Sequence, residues 1–126
     1  MPAYSNTFSP TSIDAGDLAN VWSTADGNLT SGTKTQRVAL VQRSDGGATK
    51  LAMRVLFSGN PGVISLQPQT SDFDNDADYQ SEGSAITTVG NNNEVRVEFT
   101  AIAARFARLL ATTVTNAVTA SVDFAG

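Results

Sequence analysis

The sequence predicts an all-β protein: a single β-sandwich of jelly-roll-like form, with about eight antiparallel strands and an extended N-terminal arm. Three observations point there. Apolar and polar residues alternate with a period of two over residues 51–57, 94–100 and 118–124. Turn-forming clusters separate the candidate strands: SDGGAT at 44–49, Asn60-Pro61-Gly62, and Gly90-Asn91-Asn92-Asn93. Charged residues make up only 16% of the chain, against roughly 25% in an average soluble domain. Thr, Ser, Asn, Gln, Ala and Gly fill the difference, which suits short strands and many turns.

Residues 1–17 read as an extended arm, because they carry Pro2, Pro10 and many hydroxyls with little periodicity. Tyr4, Phe8 and Ile13 are its apolar pegs, candidates for contact with a neighbouring subunit. The sandwich domain then spans 18–126. Its first candidate strand, 18–23, holds the only tryptophan, Trp22, expected in the core or at an interface. A second covers 35–42, and SDGGAT is expected to close a hairpin into a third at 50–58. Asn60-Pro61-Gly62 turns the chain into 63–69. An acidic loop at 71–78 leads to 85–89, and the asparagine turn leads to 94–100. Residues 104–114 read as a strand, although Ile102, Phe106, Leu109 and Leu110 also fit a helical stripe. The β-branched run Thr112-Thr113-Val114-Thr115 favours a strand instead, preceded by a bend at Ile102 and Ala103. The last strand is 118–124. Val95, Val97, Phe99, Val118, Val122 and Phe124 are the expected core of this half.

At 126 residues and 40% hydrophobic content the chain fits one domain with one core. It has neither cysteine nor histidine, which excludes disulfides, thiolate and imidazole metal sites and a Ser-His-Asp triad. A net charge of -4 argues against a nucleic acid partner, which needs clustered Lys and Arg. The first ten residues lack the basic start and apolar run of a signal peptide. Residues 101–114, interrupted by Arg105 and Arg108, fall short of the roughly 20 apolar residues of a membrane span. Synthesis in the cytoplasm without a signal peptide, and no membrane partner, are therefore expected.

Asp72, Asp74, Asp76 and Asp78 place oxygen donors at every second position, the pattern of a calcium loop. The match is poor: Ala77 stands where the sharp turn wants glycine, and Glu82 falls one residue before the bidentate position. The loop reads as solvated acids, with no metal and no cofactor. Glu94, Glu98 and Asp123 could pair as glycosidase carboxylates, but the alternation turns them to outer faces, so no enzyme is expected. Trp22, Tyr4 and Tyr79 are the only aromatics suited to stacking a sugar. Arg105 and Arg108 flank Phe106, which reads either as an interface or as a solvent-facing pair on an edge strand.

Residues 60–124 carry a further pattern. Ile64-Ser65-Leu66-Gln67, the acidic loop, Ala85-Ile86-Thr87, Arg105-Phe106-Ala107-Arg108-Leu109 and Val118-Thr119-Ala120-Ser121-Val122 follow one another in order. The series resembles the small β-sandwich proteins of tailed-bacteriophage virions. The loop SDFDNDADYQ departs from the Asp-Gly followed by Thr and Trp usual there. A lone domain of this kind resembles capsid decoration, or cement, proteins. The resemblance implies a non-enzymatic virion protein on the outer capsid surface, bound to the major capsid protein and bridging capsomers against DNA pressure. It also implies a homotrimer at a threefold site. The alternative is a phage tail or baseplate module that binds a sugar or receptor. The candidate interface residues are Tyr4, Phe8, Ile13, Trp22, Arg105, Phe106 and Arg108.

Overall fold

The computed structural model describes residues 3–5, 7, 9–41 and 49–126, without the side chains of 49, 100 and 101. Phe8 and most of the SDGGAT turn lie outside the described residues. The strands are β1 (Thr11–Ile13), β2 (Leu18–Trp22), β3 (Thr33–Lys34), β4 (Val38–Leu40), β5 (Thr49–Phe57), β6 (Ile64–Ser71), β7 (Gln80–Ser81), β8 (Glu94–Ile102), β9 (Phe106–Val114) and β10 (Ala120–Ala125). They form two sheets. The first has the order β1-β4-β9-β6-β7, with β3 also on β9; the second has the order β2-β10-β5-β8. The protein is an all-β sandwich, and among the described residues it has no α-helix, so none long enough to cross a membrane.

The core follows from the alternation. On β5, Leu51, Met53, Val55 and Phe57 are buried, while Arg54 and Leu56 are exposed on the other side. Ala120, Val122 and Phe124 of β10 and Val95 of β8 join them from the second sheet. Val38, Leu40, Ile64, Leu66, Ala107, Leu109 and Ala111 face them from the first. Val97, Phe99 and Val118, expected in the core, are half-buried and pack against its margin. For Val97 and Phe99 the reason is position, since β8 is the outermost strand of its sheet.

Several expectations are corrected. β4 and β5 do not form a hairpin, because they belong to different sheets. Thr11–Ile13, expected as irregular arm, is a strand pairing parallel with β4, Ile13 opposite Leu40. Residues 85–89 make only an isolated bridge, Ile86 to Leu66. Residues 106–114 are a strand, but a central one between β6 and β3/β4 and not an edge.

Three details show how the sequence fits this topology. Pro68 lies within β6, opposite Leu109 of β9. Its carbonyl accepts from Glu82 N–H at 2.9 Å, so its missing N–H also faces away from the β9 ladder, where proline is tolerated. Gly62 has φ +74°, and its N–H donates to Asn60 Oδ1 at 2.9 Å; a Cβ there would collide with Thr115 Oγ1. On β2, the register with β10 shifts between Val122 and Asp123. Asn20 Nδ2 fills the irregularity, donating to Trp22 O at 2.8 Å and to Asp123 Oδ1 at 2.8 Å.

Candidate functional site: a clamped acidic loop

On the first sheet Arg108 of β9 and Gln69 of β6 are register partners, and Arg108 Nε donates to Gln69 Oε1 at 2.9 Å. Their neighbours in β9, Ala107 and Leu109, point into the core, so Arg108 and Gln69 lie on the sheet's outer face. A charged side chain there would normally be solvated. Arg108 is instead 2% exposed, because residues 3–5 and the acidic loop lie across it.

The loop is held by ion pairs. Asp74 meets the Arg37 guanidinium, at 3.0 Å from Nε and 2.6 Å from Nη2. It also accepts from Tyr4 Oη at 2.9 Å and Tyr79 Oη at 3.1 Å. Asp76 accepts from Arg108 Nη1 at 2.7 Å and from Lys34 Nζ at 3.0 Å. The arginines are also stacked. The Arg108 guanidinium carbon lies 4.0 Å from the Tyr79 ring centroid and 4.7 Å from that of Tyr4. The two rings meet edge to face, 5.6 Å apart. The strap that carries Tyr4 is fixed through its backbone: Gln36 Nε2 donates to Ala3 O, Arg37 Nη1 to Ser5 O, and Tyr4 N to Lys34 O.

Burial pushes the Asp74 carboxyl up, but hydrogen bonds from Arg37 and Tyr4 outweigh it and hold the group below the ordinary carboxylate range. Hydrogen bonds from Lys34 and Arg108 lower Asp76 likewise. Burial raises the Tyr4 phenol to about 12, reinforced by its bond to Asp74, and raises Tyr79 as well. At neutral pH the acids are ionised and the phenols protonated, which suits clamping and not proton transfer.

What the clamp presents is Phe73, the residue before Asp74, which is 70% exposed. Ser71 fixes its backbone: Ser71 Oγ donates to Phe73 O at 2.6 Å and accepts from Phe73 N at 3.0 Å. Beside it lies a depression of about 480 Å³ whose lining includes Asp72, Asp78 and Glu82. Among the described residues no cluster of carboxylates is arranged to hold a metal ion.

The expectation of a merely solvated loop therefore fails for Asp74 and Asp76, which face the chain's own cations; Asp72 and Asp78 are exposed. Ile13 and Trp22 are core residues, and Arg108 lies under the loop, so these three are withdrawn as surface contacts. Tyr4 is half-buried in the clamp. Arg105 is exposed at the bend before β9 and Phe106 is half-buried, so the two remain near the surface. Sequence reasoning missed Arg37 and Phe73. Arg37 stands in a run of three buried polar residues, Thr35-Gln36-Arg37, that breaks the strand alternation, and that break was the available signal.

No protein-family model and no curated protein matches the chain. Among solved structures it is similar to a glycoside hydrolase family 43 arabinoxylan arabinofuranohydrolase from Bacillus subtilis, at 13% identity and TM-score 0.49. That match covers 93% of this chain and 27% of the hydrolase, so the chain spans about a quarter of its length. It is also similar to a family 6 carbohydrate-binding module, at 15% identity and TM-score 0.45, over 98% of this chain and 93% of the module. At such identities the likeness is one of sandwich form alone.

Proposed function

We propose that the chain is a non-enzymatic contact protein of a phage virion, a decoration protein that binds the outer surface of a capsid and braces neighbouring capsomers. The resemblance over residues 60–124 supplies the class of protein, and the clamped loop is the observation that carries the mode of contact. An exposed aromatic held by two ion pairs loses little freedom on docking, so its burial converts efficiently into affinity. Asp72, Asp78 and Glu82 around the depression suit an apolar socket on the partner with Lys or Arg at its rim. Repeated over many copies, modest contacts of this kind add up through avidity. The tail or baseplate reading is less well supported, because Trp22, Tyr4 and Tyr79 are committed to the core or the clamp and offer no free stacking platform.

The test is immunogold labelling of the parent virion, followed by heat-induced DNA release from stripped and re-decorated particles. Dense label over the head and release at lower temperature without the protein are expected. Label confined to the tail, or equal heat resistance, overturns the reading. Phe73→Ala should leave the fold intact and weaken rebinding at least tenfold.

A further inference from the structure

β8 is a nine-residue strand at the margin of the second sheet, bonded among the described residues on one side only, to β5. Which of its backbone groups face outward follows from the hydrogen bonds. Glu94 N donates to Asn91 O and Glu94 O accepts from Gly90 N, so Glu94 points away from β5. On β5, Ser58 N donates to Thr119 O on the β10 side, so the odd residues Val55 and Met53 are those turned to β8. Their register partners are Val95 and Val97. The N–H and C=O groups of Arg96 and Glu98 therefore point outward, a template for another strand.

We propose that β8 pairs antiparallel with β8 of a second copy of this chain about a twofold axis at Val97, giving a pair in place of the homotrimer expected from the sequence. Charge selects that register. With Val97 opposite Val97 of the second copy, Arg96 stands opposite Glu98 and Glu98 opposite Arg96, and these residues exchange the new backbone bonds. On the inner side Val95 meets Phe99, both partly or fully buried at the core margin. A shift of two residues in one direction sets Arg96 against Arg96 and Glu94 against Glu98. The opposite shift sets Glu98 against Glu98. Both place like charges face to face, which destabilises a pair. Within one chain, Arg96 stands opposite Arg54, another like pair. Arg54 has Asp123 at 3.2 Å, and Arg96 leans on Glu94 of its own strand. No ion pair to Glu98 is found among the described residues, so the second copy's Arg96 supplies a counter-ion to a carboxylate that lacks one here. The pairing is a property of the chain by itself and does not depend on the proposed virion role.

Sedimentation equilibrium at tens of micromolar tests it on the whole chain. Wild type should be a dimer, weakened as salt screens the Arg–Glu pairs. Arg96→Glu and Glu98→Arg should each weaken dimerisation at least tenfold, since each creates like-charge pairs, and both side chains are exposed enough for the monomer to stay folded. The double variant Arg96→Glu/Glu98→Arg should restore the dimer, because it recreates the same pairs with the signs exchanged. A monomeric or trimeric wild type overturns the proposal, as does a double variant no tighter than the singles.

Discussion

Tyr4 Oη donates to Asp74 Oδ1 at 2.9 Å across a separation of 70 residues, tying the N-terminal strap to the acidic loop on the outer face of the first sheet. Asp74 is also the partner of Arg37, whose side chain is 1% exposed. The strap, the loop and the segment between β3 and β4 consequently share one carboxylate.

Removing that charge leaves a buried guanidinium short of its counter-ion, the costly way to break an ion pair. Asp74→Asn should destabilise the protein by about 3 kcal/mol. Urea unfolding checks it, with a lower midpoint and an unchanged slope expected.

Arg108 is held by geometry as much as by charge, against two tyrosine rings with Gln69 and Asp76 on its nitrogens. Lysine keeps the charge but loses the planar fork and part of the stacking. Arg108→Lys should cost about 2 kcal/mol, read from the same denaturation curves, with Tyr79→Leu producing a loss of similar size.

The carboxyls of Asp74 and Asp76 lie below their unfolded values, so the stability they contribute is present above the unfolded pKa and disappears as pH falls through the folded one. Thermal midpoints should stay level from pH 7 to about 5, then fall once the pH passes below the ordinary aspartate value of about 3.9. Asp74→Asn should flatten that fall.

Tyr4 titrates the other way. Its phenol is raised to about 12, so its contribution is complete below the unfolded value of about 10 and is lost as pH rises through the folded value. Ultraviolet titration should show no tyrosinate near pH 10 in the folded protein. Unfolding at constant pH 10.5 should release it in a single step.

Much of the fold was legible in the sequence, because strand alternation is a local signal: β5, β8 and β10 stand where the period of two puts them. The sheet partners were not legible. SDGGAT has the composition of a hairpin turn, yet β4 and β5 part into separate sheets, and no local residue records that choice. The site was legible only in fragments. The four aspartates were conspicuous, but the cations that hold Asp74 and Asp76 come from 32 to 42 positions away. An isolated acidic run carries no mark of partners that distant. Arg108 was flagged for the right chemistry, a planar fork seeking a carboxylate, and for the wrong address.

Charge placed in the centre separates true core positions from marginal ones. Val122 is fully buried on β10, flanked by β2 and β5, so Val122→Asp should abolish folding. Val97→Asp, on the outermost strand, should leave a folded protein that loses a few degrees of thermal stability. Circular dichroism melts distinguish the two.

The irregularity in β2 bears on how far association can propagate. A sheet open at both margins can recruit copies without end and grow into a fibre. Here the margin opposite β8 is five residues long, its ladder is offset at Asp123, and Val21 O is already bonded to Gln36 N. With that side spoiled for recruitment, the proposed pairing through β8 closes at two copies and does not extend into filaments.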